Sequence, residues 1–206
     1  MALKRNIGTN DVEVGKLFRN IGTNDVQIGK MHRNNGTTDN LIYTAAEPVI
    51  AIPNASAYPA SAWQINRTDN TNTPNATGHA IANTSITVNA SSVTFSVAAR
   101  EGGHWTCYYI PVVVDGLKTL TIKGTIYGDN AQACIGLFDS AAHPSYNTMI
   151  AGYTNYENEN ERHTLNHTYT FEEMTGTKYL VVGNWCTASG DRGWLYPTLT
   201  EFSLTE

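Results

Sequence analysis

The residues best suited to chemistry in this chain are aromatic side chains beside glycine-rich, charged turns. The 206 residues include four Trp and eleven Tyr. REGGHW and SGDRGWLYP each join glycines and charged residues to a Trp, and YTNYENENER is a polar aromatic segment. A saccharide site needs an aromatic plane for the sugar's C–H face and polar groups for its hydroxyls. The candidate contact residues are therefore His104, Trp105, Tyr153, Tyr156, Asp191, Arg192 and Trp194.

These candidates differ in how well they suit a binding role. Trp105 and Trp185 lie inside apolar, strand-like runs, which favours core packing for both. Trp194 follows a glycine-rich turn and is the better candidate for exposure. Arg100 and Glu101 accompany His104 and Trp105 in the first segment.

Catalytic patterns are weak, so we predict that the chain is not an enzyme. A glycosidase needs two carboxylates, one with a raised pKa in an apolar pocket, and no pattern marks such a pair. There is no G-x-S-x-G elbow. His104 and Cys107 are separated by an odd offset, which would place them on opposite faces of a strand. The carboxylates considered lie mostly in turn-like sequence: Glu101, Asp115, Asp129, Asp139, Glu172, Glu173 and Asp191.

Cofactor signals are equally sparse, and no cofactor is predicted. His163 and His167 are four residues apart, which suits a solvated loop or strand edge better than a metal pair. TDNTNTPN and NYENENER contain oxygen ligands of the kind Ca²⁺ takes, without regular ligand spacing. A structural calcium ion stays open as an alternative. Cys107, Cys134 and Cys186 lie in apolar runs and are expected to be buried thiols.

The bulk composition excludes several classes of partner. Net charge is −5 and only 15% of residues are charged. An acidic chain is poorly suited to a phosphate backbone, so we expect no nucleic-acid partner. No run of about 18 apolar residues exists, and no apolar segment follows the basic N-terminus as a secretory signal would require. The expectation is use from the cytosol or exit by another route, such as inside an assembled particle.

A threefold internal repeat opens the chain. RNIGTNDVEVGKLF, RNIGTNDVQIGKMH and RNNGTTDNLIYTAA follow one another with a period of fourteen residues. Each unit predicts a turn between two short strands, because Asn, Gly and Asp favour tight turns. The apolar positions have little of their own to bury against. We therefore predict an attachment or oligomerisation segment over residues 1–44, using Val12, Val14, Phe18, Val26, Ile28 and Ile42.

The remaining residues, 45–206, predict one larger β domain. After a polar stretch over residues 54–92, apolar alternation becomes strong in VTFSV and LKTLTIKGTIYG. WTCYYIPVVV is continuously apolar, as expected of a strand buried on both faces. AQACIGLFD, YTFEEM, KYLVVGNWC and TLTEFSL continue the pattern, separated mostly by turn signals. Such spacing without helical periodicity predicts an antiparallel, jelly-roll-like β-sandwich.

Repeats of the RNxGTxD type leading into an Asn/Thr/Gly-rich, low-charge β domain resemble short appendage proteins of bacteriophage particles. Head or tail fibres and baseplate tips are the nearest in style. The resemblance implies assembly in bacterial cytoplasm, attachment to other virion proteins through residues 1–44, a homotrimer and a virion-surface location. The β domain would face outward, decorating the particle or binding host-surface saccharide. No heptad or collagen-like stalk is present, so the appendage would be short.

A second reading comes from a different class of protein. The β domain would equally suit a bacterial carbohydrate-binding module or a small glycan-active enzyme. The repeats discriminate between the two readings, because a free binding module does not need an attachment device.

Overall fold

The computed structural model describes the strands between residues 3 and 44 and residues 47–68, 84–100, 104–141, 148–157, 161–186 and 192–206. These residues form nineteen β-strands, one short 3-10 helix and no α-helix. The prediction of an all-β chain with antiparallel strands is confirmed. Nothing helical in the described residues is long and apolar enough to cross a bilayer. The chain divides into two compact units, residues 1–47 and 48–206.

Unit 1 contains three separate two-stranded antiparallel sheets, one for each repeat. Each repeat pairs a strand that ends before the Gly-Thr dipeptide with one that begins after it. The strands are β1 (Leu3–Ile7), β2 (Asn10–Val14), β3 (Phe18–Ile21), β4 (Asn24–Gln27), β5 (Lys30–Asn34) and β6 (Asp39–Thr44). The predicted attachment residues Val12, Val14, Phe18, Val26 and Ile42 lie in these strands, and Ile28 lies outside the described residues.

Unit 2, hereafter the head, contains the other thirteen strands of the described chain. The 3-10 turn (Ala60–Ala62) lies between the first two. The strands are β7 (Val49–Ile52), β8 (Gln64–Thr68), β9 (Ser85–Val88), β10 (Val93–Arg100), β11 (Trp105–Val113), β12 (Thr119–Ile126), β13 (Gly128–Asp129), β14 (Ala131–Phe138), β15 (Met149–Glu157), β16 (His163–Thr170), β17 (Thr177–Cys186), β18 (Arg192–Leu195) and β19 (Thr198–Thr205).

The described head strands form two antiparallel sheets. Sheet I has the order β13-β18-β10-β19-β12-β16, with β7 added on β19 and β9 on β10. Sheet II has the order β15-β14-β17-β11-β8. Within sheet I, β13 continues the line of β12 after a break at Tyr127. In the same way, β19 continues the line of β18 after a break at Tyr196–Pro197. We call the faces that share the core the inner faces, and the opposite faces the outer faces.

Alternation along the strands builds a core between the two inner faces. Leu120, Ile122 and Ile126 of β12 are fully buried, as their period-2 spacing predicts. Phe95 of sheet I lies 5.7 Å from Tyr108 of sheet II, ring centre to ring centre. Burying one such large apolar side chain contributes roughly 1.5–3 kcal/mol. The same alternation places every second residue on an outer face, and on sheet II some of these residues, such as Trp105, are buried as well.

Two edge strands were not predicted from the sequence. Tyr153–Glu157, in a segment expected to be a loop, forms the end of β15, and the strand expected at YTFEEM instead spans His163–Thr170 as β16. Polar residues dominate both strands because each lies at the edge of its sheet. Alternation of apolar residues is therefore too weak there to identify a strand.

Candidate functional site

The segment from Gly193 to Thr198 displays two large aromatic side chains on the outer face of sheet I. Gly193 and Leu195 are buried, whereas Trp194 and Tyr196 are half-buried. Successive residues of a strand point to opposite faces, so Trp194 and Tyr196 share the outer face. The sequence GWLYP thus encodes an aromatic pair two residues apart.

The neighbouring strand β13 adds a carboxylate, and Tyr127, which directly precedes it, adds a tyrosine on the same face. Asp129 lies opposite Trp194 in the antiparallel register. The Tyr196 N–H donates to the Tyr127 carbonyl at 2.8 Å, and the two rings stack at 4.9 Å with an interplanar angle of 13°. This separation is typical of offset-stacked aromatic pairs.

An arginine completes this group. The Arg162 guanidinium lies 5.8 Å from the centre of the Tyr127 ring, within the range of a cation–π contact. It also donates to the Thr125 hydroxyl at 3.1 Å. We call Tyr127, Asp129, Arg162, Trp194 and Tyr196 the outer aromatic site. It offers ring faces, a carboxylate and a guanidinium side by side.

Two buried contacts hold the strands of this site in place. The Asn184 side-chain amide donates to the carbonyls of Val97 and Gly193, both at 2.9 Å, which ties β17 to β10 and β18. At Gly128, a Cβ would meet the Trp194 carbonyl at 2.7 Å and the Glu157 Cβ at 3.0 Å. Only glycine allows β13 to approach both neighbours this closely.

Behind Gly128 lies a second polar group, built around the buried carboxylate of Glu157. Glu157 is 2% exposed. Its Oε1 accepts from the Tyr153 hydroxyl at 2.8 Å and from the Asn155 amide at 3.2 Å. Its Oε2 lies 3.3 Å from Nε2 of the more exposed His163. Both carboxyl oxygens thus have a polar partner, as buried polar atoms generally do.

Three rings line the edge of the head beside this carboxylate. The Tyr153 and His167 ring centres are 5.3 Å apart, and those of His167 and Tyr169 are 5.8 Å apart. The interplanar angles are 32° and 26°, so the rings form a row of near-parallel planes. All three side chains are half-buried. We call Tyr153, Glu157, His163, His167 and Tyr169 the edge cluster.

Tyrosine ionisation in the edge cluster is suppressed. Burial raises the pKa of Tyr153, and its hydrogen bond to the Glu157 carboxylate raises it further because ionisation would place two negative charges together. Burial also raises the pKa of Tyr169. Both phenols therefore remain neutral hydrogen-bonding groups at physiological pH.

The structure separates the residues that the sequence grouped as saccharide contacts. Trp194 lies in the outer aromatic site and Tyr153 in the edge cluster. Trp105 is 3% exposed on the outer face of sheet II, opposite Trp185, and its neighbour His104 is 9% exposed. The backbones of Tyr156 and Arg192 lie in β15 and β18, and Asp191 lies outside the described residues.

Sequence reasoning missed most members of both groups. Tyr196 could have been found from alternation, since it follows Trp194 by two residues in GWLYP. Tyr127 and Asp129 join the site through the pairing of β13 with β18, which one sequence does not reveal. His163 and His167 lie on the edge strand β16, in keeping with the expected strand edge, and there they also contact Glu157 and Tyr153.

Metal ligation finds little support in the part of the chain that the structure describes. No group of three His, Cys, Asp or Glu side chains there is arranged so that it could hold a metal ion. Most of TDNTNTPN, considered above for calcium, lies outside the described residues. Comparison with models of known protein families and with curated proteins found no match for this sequence.

Proposed function

We propose that the head is a recognition module that binds saccharide through the outer aromatic site. The observation that carries the proposal is the grouping of Trp194, Tyr196 and Tyr127 on one outer face beside Asp129 and Arg162. Aromatic rings can pack against the C–H face of a sugar, while a carboxylate and a guanidinium hydrogen-bond its hydroxyls. Among the segments proposed from the sequence, SGDRGWLYP is the one this grouping favours.

We further propose that the head is a jelly-roll sandwich. In sheet I the strands β10, β19, β12 and β16 are adjacent in that order, and in sheet II the order is β11, β17, β14 and β15. Consecutive members of this set of eight alternate between the sheets except β14 and β15, which are neighbours in sheet II, and this is the order that two interleaved Greek keys produce. Jelly rolls occur in both viral capsid and lectin domains, so this fold is compatible with either reading of the chain.

Unit 1 supports a role in attachment. Three separate two-stranded sheets have little capacity to bury their own apolar side chains, and isolated hairpins are marginally stable in water. We propose that residues 1–47 dock onto a larger assembly, with a virion appendage as the leading candidate. In that arrangement the chain assembles as a homo-oligomer with other virion proteins, and the head projects outward to host-surface saccharide.

A bacterial carbohydrate-binding module is the second candidate, favoured by the same aromatic grouping. A glycan-active enzyme is less well supported, since a two-carboxylate mechanism needs both groups to reach the substrate. Glu157 is buried behind Gly128, on the opposite side of the sheet from Asp129. Product analysis after incubation with wall polysaccharide separates binding from cleavage, and binding without released fragments is the expected result.

The proposal is tested by binding of the full-length chain to polysaccharide extracted from bacterial cell walls, across a panel of hosts. Trp194→Ala and Tyr196→Ala are each expected to weaken binding at least about tenfold, as loss of a central aromatic contact does. Tyr179→Ala is the matched control, because Tyr179 is also a half-buried aromatic but lies in sheet II.

Two outcomes would contradict the proposal. One is the absence of saturable binding to wall polysaccharide from any host, which would leave a purely structural or decorative head. The other is saturable binding that Trp194→Ala and Tyr196→Ala weaken no more than Tyr179→Ala does. Thermal unfolding of each variant checks that its head remains folded.

A further inference from the structure

The edge cluster lies next to the outer aromatic site, although its side chains occupy the other side of sheet I. Arg162 belongs to the first group and His163, the next residue, to the second. Likewise Tyr127 and Gly128 are adjacent, and Gly128 approaches Glu157. Two aromatic surfaces therefore meet at one corner of the head, joined through consecutive residues of the chain.

The arrangement of the rings selects among ligand classes. A quaternary ammonium ion is recognised by aromatic faces that surround it as a cage. Tyr153, His167 and Tyr169 instead lie in a row, with planes within 32° and 26° of parallel. At centre separations of 5.3 and 5.8 Å, near-parallel rings are offset, which leaves part of each face uncovered by its neighbour. Such a row suits a flat, extended ligand better than a compact cation.

The polar groups of the edge cluster are held in fixed positions. Glu157 accepts hydrogen bonds from Tyr153 and Asn155 and lies within ion-pair distance of His163. These contacts orient the Tyr153 hydroxyl and the exposed Asn155 side chain beside the row. Hydrogen-bonding groups fixed next to ring faces are what hydroxyl recognition needs.

The net charge of the chain favours neutral over acidic polymers as ligands. The chain carries a net charge of −5. A polyanionic chain would be repelled by the field of the whole molecule. A neutral saccharide avoids that repulsion and still offers hydroxyls to Asn155, His163 and Tyr169.

From these observations we propose that Tyr153, His167 and Tyr169 form a second saccharide subsite. The head then binds a linear neutral oligosaccharide that runs around the corner from the outer aromatic site, rather than one sugar residue. This inference rests on the proposed function, because it names the ligand class of the site described there. Two linked subsites make affinity rise with chain length, since the second contact becomes intramolecular.

The test uses the full-length chain and matched linear oligosaccharides of two to eight units, made of glucose, galactose, mannose, rhamnose or N-acetylglucosamine. In a series that binds, wild-type affinity is expected to rise at least about tenfold from the shortest to the longest member. Tyr169→Ala removes this rise and leaves the affinity for the shortest ligand unchanged. Trp194→Ala weakens binding to every member. Thr168→Ala, on the same strand but the opposite face, is the matched control.

If Tyr169→Ala does not fold, His167→Ala replaces it, because His167 lies in the middle of the row. It is likewise expected to remove the rise of affinity with chain length. Affinity independent of length, or a rise that both edge-cluster variants retain, would overturn the second subsite and leave the proposed function standing. A chain that binds wall polysaccharide but no neutral series overturns the inference alone. A chain that binds neither overturns the proposed function as well.

Discussion

At the scale of single residues, Glu157 and the Asn184 amide nitrogen are buried polar groups with hydrogen-bond partners, whereas the Asn184 Oδ1 and the Trp63 Nε1 have none among the described residues. Glu157 receives two hydrogen bonds and lies beside His163, and the Asn184 amide nitrogen donates to two main-chain carbonyls. An unmatched buried polar group costs about 1–3 kcal/mol. Such residues therefore fix the geometry around them, which at Glu157 is the edge cluster and at Asn184 the strand that carries Trp194.

Replacing Glu157 tests this role in stability. Glu157→Ala leaves Tyr153 and Asn155 without their acceptor and opens a small cavity, so we expect a loss of about 2–3 kcal/mol in the free energy of unfolding. Urea denaturation followed by circular dichroism measures it. The control is Glu173→Ala, which removes an exposed ion pair with Lys118 and should cost less than about 1 kcal/mol. Equal losses in the two variants would show that Glu157 is not a structural anchor.

We expect the free energy of unfolding of the head to fall as pH rises into the alkaline range, because of Cys107. Burial raises the pKa of the Cys107 thiol far above its ordinary value, opposed in part by a hydrogen bond involving Asn66 and reinforced by nearby Cys134. The folded chain thus keeps a proton that the unfolded chain loses above about pH 8.5. Unfolding then releases a proton, so the stabilisation present below that pH is lost as pH rises.

The measurement compares wild type with Cys107→Ala by urea denaturation at several values between about pH 8 and pH 10. Once the thiol of the unfolded chain ionises, the free energy of unfolding of the wild type should fall by up to about 1.4 kcal/mol per pH unit more than that of the variant. Parallel slopes for the two proteins would mean that Cys107 ionises equally well in the folded chain.

At the scale of elements, the sequence predicted strands well where both faces are apolar or where alternation is strong. The strands β10, β11, β12, β14, β17 and β19 lie where the apolar patterns placed them. Edge strands β15 and β16 were missed because, among their described side chains, only Ala151 and Leu165 are both apolar and buried, and the other inward positions hold Tyr, Asn, Glu or His. Their inward polar residues are satisfied by one another, and that pairing is visible only in three dimensions.

The residues of the candidate site also fall into those that the sequence identified and those that only the three-dimensional structure reveals. Trp194 and Tyr153 were identified from the sequence because aromatic residues beside turns and polar segments are conspicuous. The partners that give Trp194 its chemistry come from β13 and from Arg162, brought together by strand pairing between distant parts of the chain. Trp105 illustrates the converse, because the glycine-rich turn before it suggested exposure while its apolar strand predicted burial, and it is buried.

Hydrogen exchange should separate the hairpins of unit 1 from the central strands of the head. Each hairpin is a two-stranded sheet, whereas β14 and β17 are paired on both sides and packed in a buried core. We expect amides of β1–β6 to exchange far faster than those of β14 and β17 in the isolated chain, because local opening costs little in a hairpin. Equal protection in both units would contradict the need for a docking partner.

At the scale of the whole molecule, the chain divides into two compact units at residue 47, so the attachment and recognition proposed for them can be tested separately. A fragment of residues 48–206 should unfold in one cooperative transition within a few degrees of the head in the full chain, because its core is its own. Circular dichroism melting and sedimentation measure this. The full chain is expected to self-associate and the fragment to be monomeric. Loss of folding in the fragment would mean that unit 1 is part of the head's core.

The most direct test of the central claim is to observe the four tryptophan indole N–H signals by NMR while wall polysaccharide is added to the full-length chain. Trp194 is half-buried in the outer aromatic site, whereas Trp63 and Trp105 are at most 5% exposed. We predict a saturable shift of the Trp194 signal, with the Trp63 and Trp105 signals nearly unchanged. Saturable binding that leaves the Trp194 signal unmoved would contradict saccharide recognition at this site.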